Sequence, residues 1–227
     1  MRFLPDAAIR NHVFLGEAGC GKSEIAINLA LMLRESGETV HFFDLDMTKP
    51  LFRSRDKAEE LSARGLQIHF EEQFMDAPTV SGGVMRLLKD EDAVTVLDVG
   101  GDYIGARSIG VYAPLLRLAR SRLWYVVNPY RPWSGNQQRL VQVLNDILNS
   151  SHLDFGSMHL ICNPNLGPDT TAEAVLEGYE LLLRELEGQW TCEALVCQEQ
   201  YAAGIEAQLA IPLLPIRRYL AYPWEEN

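Results

Sequence analysis

Basic residues are scarce in this chain: 20 Lys and Arg stand against 31 Asp and Glu, a formal net charge of −11 in 227 residues. That balance argues against DNA, RNA or an anionic membrane as partner, because their phosphates attract basic surfaces. Cysteine is scarce too. Cys20, Cys162, Cys192 and Cys197 show neither metal-ligand nor disulfide-framework spacing, and are expected to be reduced core or near-core thiols. No apolar run approaches the roughly 18 residues of a membrane span. The opening Met1-Arg2-Phe3-Leu4-Pro5-Asp6 lacks the apolar region of a signal peptide, so a cytoplasmic location with no stable membrane anchor is expected. Repeats, low-complexity tracts and linkers are also missing. What remains, 47% hydrophobic and 22% charged residues, is ordinary for one globular domain with a substantial core.

Apolar runs alternate with helix-period segments along the whole length, the pattern of a mostly parallel sheet with helices on both faces, an α/β fold. Strands are expected at 12–15, 39–43, 94–97, 123–127, 158–162 and 194–197, with shorter extended segments at 66–70 and 211–215. Helices are expected after the first strand, at 56–64, after Ser81-Gly82-Gly83, at 109–119 with an interruption at Pro114, at 136–148, from Thr170 or Thr171 to about 187, and at 201–209. Residues 47–55, punctuated by Pro50, read as a loop. A single domain is expected over 1–227, with its core at about 11–215 and a short tail at 216–227.

The organising stretch is Gly16-Glu17-Ala18-Gly19-Cys20-Gly21-Lys22-Ser23, which fits the phosphate-loop pattern G-x-x-x-x-G-K-S/T. It follows the apolar run His12-Val13-Phe14-Leu15 and opens a helical period at Ile25, Ala26, Leu29 and Leu33, the strand–loop–helix setting the pattern requires. Glycines let the backbone approach an anion closely, and successive N–H groups with the positive end of the following helix cradle a phosphate. Lys22 would reach the β- and γ-phosphates of a nucleotide, and Ser23 would place its hydroxyl on Mg²⁺.

Acidic residues stand at the C-terminal ends of two further strands. Asp98, after Val94-Thr95-Val96-Leu97, has the form of a Walker B acid that holds a metal-bound water. Asp98-Val99-Gly100-Gly101 fits D-x-x-G, in which the N–H of Gly101 meets the γ-phosphate. Asp44 and Asp46 point the same way if their strand persists, and would repel each other unless a cation separates them. Asp46 is placed to orient or deprotonate an attacking water, and Asp44 to support the metal shell.

This succession, completed by strands ending in Asn128-Pro129 and Asn163-Pro164, resembles the MinD/ParA/nitrogenase-iron-protein group of P-loop ATPases, part of the SIMIBI class, over about residues 11–215. The resemblance implies ATP and Mg²⁺ at the C-terminal edge of the sheet. It implies that Asp46 is the water-activating acid, Asp98 the Walker B acid, Gly101 the switch glycine, and Asn163 the amide that reads the adenine edge. Asn163-Pro164-Asn165-Leu166 also lacks the Lys and Asp of the Asn-Lys-x-Asp signature of GTPases.

The chain departs from that group at Glu17, where members with the signature lysine reach across a nucleotide-sandwich dimer; a carboxylate there would repel a partner's phosphates. Arg53, Arg55, Arg107 and Arg131 are alternative charge donors. The tail Arg217-Arg218-Tyr219-Leu220-Ala221-Tyr222-Pro223-Trp224-Glu225-Glu226-Asn227 does not resemble a membrane-binding amphipathic helix. The expectation is therefore a slow ATPase switching an unidentified protein partner, with a homodimer allowed. A non-catalytic nucleotide-binding regulator and a small-molecule phosphotransferase or ligase are the alternatives.

Overall fold

Runs such as Val13-Phe14-Leu15 and Leu123-Trp124-Tyr125-Val126-Val127 have no polar alternation, so both faces of their strands must be covered. In the computed structural model, which describes residues 1–46, 57–70, 79–101, 103–134, 136–154, 156 and 158–220, they lie in the middle of an eight-stranded, wholly parallel sheet. The elements run β1 (Asn11–Gly16), α1 (Lys22–Glu35), β2 (Thr39–Leu45), α2 (Ala58–Ala63), β3 (Gln67–Phe70), α3 (Thr79–Leu87) and β4 (Ala93–Val99). Then follow α4 (Tyr103–Ser108), α5 (Ala113–Leu116), β5 (Ser121–Val127), α6 (Gln137–Ser151), β6 (Met158–Cys162), α7 (Ala172–Leu186), β7 (Cys192–Gln198), α8 (Ala202–Glu206) and β8 (Leu213–Ile216).

The strand order is β3-β2-β4-β1-β5-β6-β7-β8. After β1 the chain moves to one side, returns with β4, and crosses to the other side with β5. The winding therefore reverses around β1, and in open parallel sheets the crevice at the carboxyl ends of such strands is where ligands bind. On one face, α3 to α8 pack over Val13, Leu15, Leu97, Leu123, Tyr125 and Leu160. On the other, α1 and α2 pack over Phe14, Phe42, Val96, Trp124 and Val196.

Helix α1 has no polar stripe, and residues 25–31 are all buried, so it needs cover on its outer side as well. Chain from beyond β8 supplies it. Asn28 Nδ2 donates to the Arg217 carbonyl at 2.8 Å and its Oδ1 accepts from the Arg217 N–H at 2.9 Å. The Glu24 carboxyl accepts the backbone N–H groups of Tyr219 and Leu220. Residues 217–220 are thus strapped across the helix that begins at the phosphate loop. At the same edge Phe3 donates its N–H to the Leu213 carbonyl at 2.8 Å, a pairing the sequence pattern did not indicate.

Several boundaries differ from the sequence expectation, each for a local reason. Strands β2 and β4 run on through Asp44 and Asp98, because both carboxylates are carried on paired strands rather than on turns. Ser81-Gly82-Gly83 lies inside α3 rather than ahead of it. Pro114 does not interrupt a 109–119 helix; it stands in the first turn of the short α5, where a missing N–H costs nothing. A separate helix, α4, precedes it. Thr171 rather than Thr170 caps α7, accepting from the Ala174 N–H at 3.2 Å. The segment 201–209 is helical only over Ala202–Glu206. All four cysteines are free and buried, as thiols of a core. The expected loop at 47–55, including Arg53 and Arg55, and tail residues 221–227 lie outside the described residues. Among the described residues, no helix is long and apolar enough to cross a membrane.

Candidate functional site

Strand β1 ends where Gly16 takes φ 138°, turning the chain away from β5 and into the loop. Gly19 (φ 74°) and Gly21 (φ 95°) make the two further left-handed turns that close it. Three of the loop carbonyls are engaged by side chains. Glu17 O accepts Lys22 Nζ at 2.7 Å, Gly19 O accepts Arg131 Nε at 3.1 Å, and Cys20 O accepts Asn163 Nδ2 at 2.8 Å. The Gly19 and Cys20 carbonyls are thus tied to side chains that follow β5 and β6, while the Glu17 carbonyl holds the loop's own lysine. Helix α1 then begins at Gly21 with no side-chain cap on its first N–H groups, the arrangement an anion completes.

The acidic residues gather on the α1 side of the sheet. Parallel register sets Asp98 beside Asp44 on β2 and beside Phe14 on β1. Asp44, Asp46 and Asp98 are each at least 98% buried. Asp44 Oδ1 accepts the backbone N–H of Asp46 at 3.1 Å, so the two carboxylates do not simply project side by side as an extended strand would have them. The Asp46 carboxylate lies against the backbone of Gly100, where a Cβ would come within 3.2 Å of its Oδ1. A Cβ on Gly101 would meet Ala18 backbone atoms at 2.6 Å and Lys22 Nζ at 2.9 Å. The D-x-x-G glycine and the phosphate-loop lysine are therefore immediate neighbours.

Asn163 sits directly on the phosphate loop, and a Cβ on Gly21 would fall 2.2 Å from its Nδ2. Its amide nitrogen is occupied by the Cys20 carbonyl. Asn128, at the end of β5, ties the neighbouring loop to that one: Nδ2 donates to Asn165 O at 2.8 Å, and Oδ1 accepts the N–H of Tyr130 at 3.1 Å. Gly105 packs on the switch segment so closely that a Cβ would lie 2.4 Å from the Gly100 carbonyl. The Asn128–Asn165 tie and the Gly105 contact were not anticipated; the repeated Asn-Pro at strand ends was the one sequence signal toward the first.

Glu17 does not face outward as an extended charge toward a second molecule. It is 6% exposed, and both carboxyl oxygens are buried with no hydrogen-bond partner among the described residues. Burial pushes its carboxyl up to about 7, against a smaller opposing pull from Lys22. Tyr125, buried beneath it on β5, is also held well above its ordinary value, first by burial and then by the Glu17 charge.

A raised folded-state value means the protonated carboxyl is the favoured buried form. Glu17 therefore costs nothing below about pH 4.5, and the cost of its burial grows as pH rises toward 7. Glu17→Gln is expected to match the parent in thermal stability at pH 4 and to exceed it above pH 7 by on the order of 2–3 kcal/mol. Melting curves of both proteins from pH 4 to 8 check this; parallel curves at all pH values would refute it.

No family profile matches the chain, and no curated protein sequence matches it. Solved structures do. The signal recognition particle receptor FtsY from Elizabethkingia anophelis, in complex with GDP, is 15% identical with a TM-score of 0.51, covering 85% of this chain and 57% of that one. Chloroplast FtsY from Physcomitrella patens is 16% identical with a TM-score of 0.53, covering 85% and 60%. The chain thus spans under two thirds of the length of the structures it matches. At that identity the likeness speaks for architecture alone: the protein shares the fold of these two structures, an α/β domain with a wholly parallel sheet flanked by helices.

Proposed function

We propose that this protein binds a nucleoside triphosphate with Mg²⁺ and uses slow hydrolysis as a switch on a protein partner. One observation carries the reading: Lys22, Gly101 and the phosphate loop meet at a single point, with the buried Asp46 against the adjoining Gly100. Three buried aspartates at the carboxyl ends of β2 and β4 supply the hard oxygen ligands that a divalent cation prefers. Among the described residues no three His, Cys, Asp or Glu side chains converge to hold a metal unaided. Mg²⁺ needs no such cluster, since it takes one or two carboxylates, a hydroxyl, phosphate oxygens and waters. Ser23, Asp98 and Asp44 are the residues that would hold it, and it would neutralise charge building on the phosphates.

In this reading Lys22 leaves the Glu17 carbonyl for the phosphates, the Gly101 N–H meets the terminal phosphate, and Asp46 orients the attacking water. Movement of Gly101 would be passed to α4 through the Gly100–Gly105 contact, giving a partner a surface that depends on the nucleotide. ATP is proposed as the nucleotide because the end of β6, Asn163-Pro164-Asn165, offers no carboxylate for the guanine edge. Relation to the MinD/ParA group is proposed on the same motifs. That the FtsY match was solved with GDP makes GTP the necessary control.

Titration of the purified chain with Mg²⁺–ATP and Mg²⁺–GTP, followed by phosphate release, tests the proposal. Asp46→Asn is expected to keep binding within about 3-fold while lowering turnover by about 100-fold, the loss expected for a group acting in general base catalysis. Binding of neither nucleotide would overturn the reading. Binding without turnover in the parent would leave a non-catalytic regulator.

A further inference from the structure

Four arginines were open on sequence as substitutes for the missing loop lysine, and the fold distinguishes between the two that lie among the described residues, Arg107 and Arg131. Arg107 is exposed on α4. Arg131, on the turn after β5, lies on the phosphate loop: its Nε donates to the Gly19 carbonyl, and its guanidinium carbon is 3.4 Å from where a Gly19 Cβ would stand. The turn that carries it is fixed at both ends. Arg131 N–H donates to the Asn128 carbonyl at 3.0 Å, and the Arg131 carbonyl accepts the Ser134 N–H at 3.0 Å. The Asn128 side chain in turn is anchored to Asn165.

Among the described residues the guanidinium donates only to Gly19, through Nε, and the Nη groups make no hydrogen bond to any of them. The side chain is solvent-exposed, which leaves those groups free to turn about the Nε anchor. Gly19 is the middle of an eight-residue loop wrapped around the space for the phosphates, so a group lying on its outer side is about one residue's width from that space.

We propose that Arg131 is the loop's own second cation: Nε holds the Gly19 carbonyl outward, and the Nη groups contact the phosphate chain of a bound nucleoside triphosphate. The inference rests on the nucleotide reading above and adds to it a residue that contacts the ligand. It also relieves the departure at Glu17. A chain that carries its own cation on the loop does not need a lysine from a second copy, and a guanidinium suits phosphate because its planar fork makes paired, charge-assisted hydrogen bonds.

Bracing and contact are separable, because a neutral donor is enough for the first, whereas the second draws most of its strength from a cation's charge. The experiment titrates the full chain with fluorescent analogues of ATP and ADP in Mg²⁺, comparing the parent with Arg131→Ala, Arg131→Gln and Arg131→Lys. Each nucleotide-free variant is also melted. Arg131→Ala and Arg131→Gln are expected to weaken the triphosphate by about 10- to 30-fold and the diphosphate by no more than about 3-fold. Arg131→Lys should recover most of the triphosphate loss, with all four melting midpoints close together. Equal losses for the two nucleotides, restored by Gln rather than Lys, would reduce Arg131 to a brace and overturn the proposal, as would no loss at all. A parent chain that binds neither nucleotide would instead sink the nucleotide reading itself, and Arg131 with it.

Discussion

Lys22→Ala is expected to weaken nucleotide binding by roughly two to three orders of magnitude, while the chain still folds. The ammonium is 1% exposed, sits on the Glu17 carbonyl at 2.7 Å, and adjoins Gly101. Inside the loop it is the one described cation positioned by the backbone itself. Removing one member of a buried, hydrogen-bonded charge pair costs about 2–5 kcal/mol, and about 1.4 kcal/mol is tenfold in affinity. In the nucleotide-free chain the loss is smaller, because the Glu17 carbonyl still accepts the Cys20 N–H at 3.3 Å. Calorimetric titration of the parent and the variant, each checked by thermal melting, measures both effects. Equal affinities would mean that the loop is only a turn between β1 and α1.

Gly16→Ala should destabilise the fold itself, by about 3 kcal/mol. Two independent costs add. The residue holds φ 138°, a conformation that side chains rarely adopt, at about 1–3 kcal/mol. A Cβ there would also lie 2.4 Å from the Val126 carbonyl, a backbone atom of the paired strand β5 that cannot swing aside. For a chain of this length that is a fall in melting temperature of about 6–12 °C. Gly83→Ala is the control: it lies inside α3 with open space around a Cβ, and should raise stability by up to about 1 kcal/mol. A Gly16→Ala melt that coincides with the parent would show that β1 and β5 can part at this point without cost.

Sequence by itself determined the position of the strands and the loop. The strands are mostly apolar because both faces are covered, so their cores at 94–97, 123–127 and 158–162 fall where the composition changes abruptly. The phosphate loop is local in the chain, its eight residues consecutive, so its glycines and Lys22 can be read from spacing alone. Helix caps such as Asn136 and Thr171 are local as well, since their partners are three residues away.

Tertiary structure decided what depends on the order of the strands. Placing β4 between β2 and β1 sets Asp44 beside Asp98, and nothing in the spacing of 54 residues states that they are neighbours. Placing β5 on the other side of β1 brings Arg131 to Gly19, 112 residues away, and selects it over Arg107. The direction of Glu17 is tertiary too. A carboxylate in a loop reads as exposed, and only the packing over Tyr125 and against Lys22 buries it, so that its charge is withdrawn rather than displayed. Periodicity records which side chains need burial, but pairing across the sheet decides which of them meet.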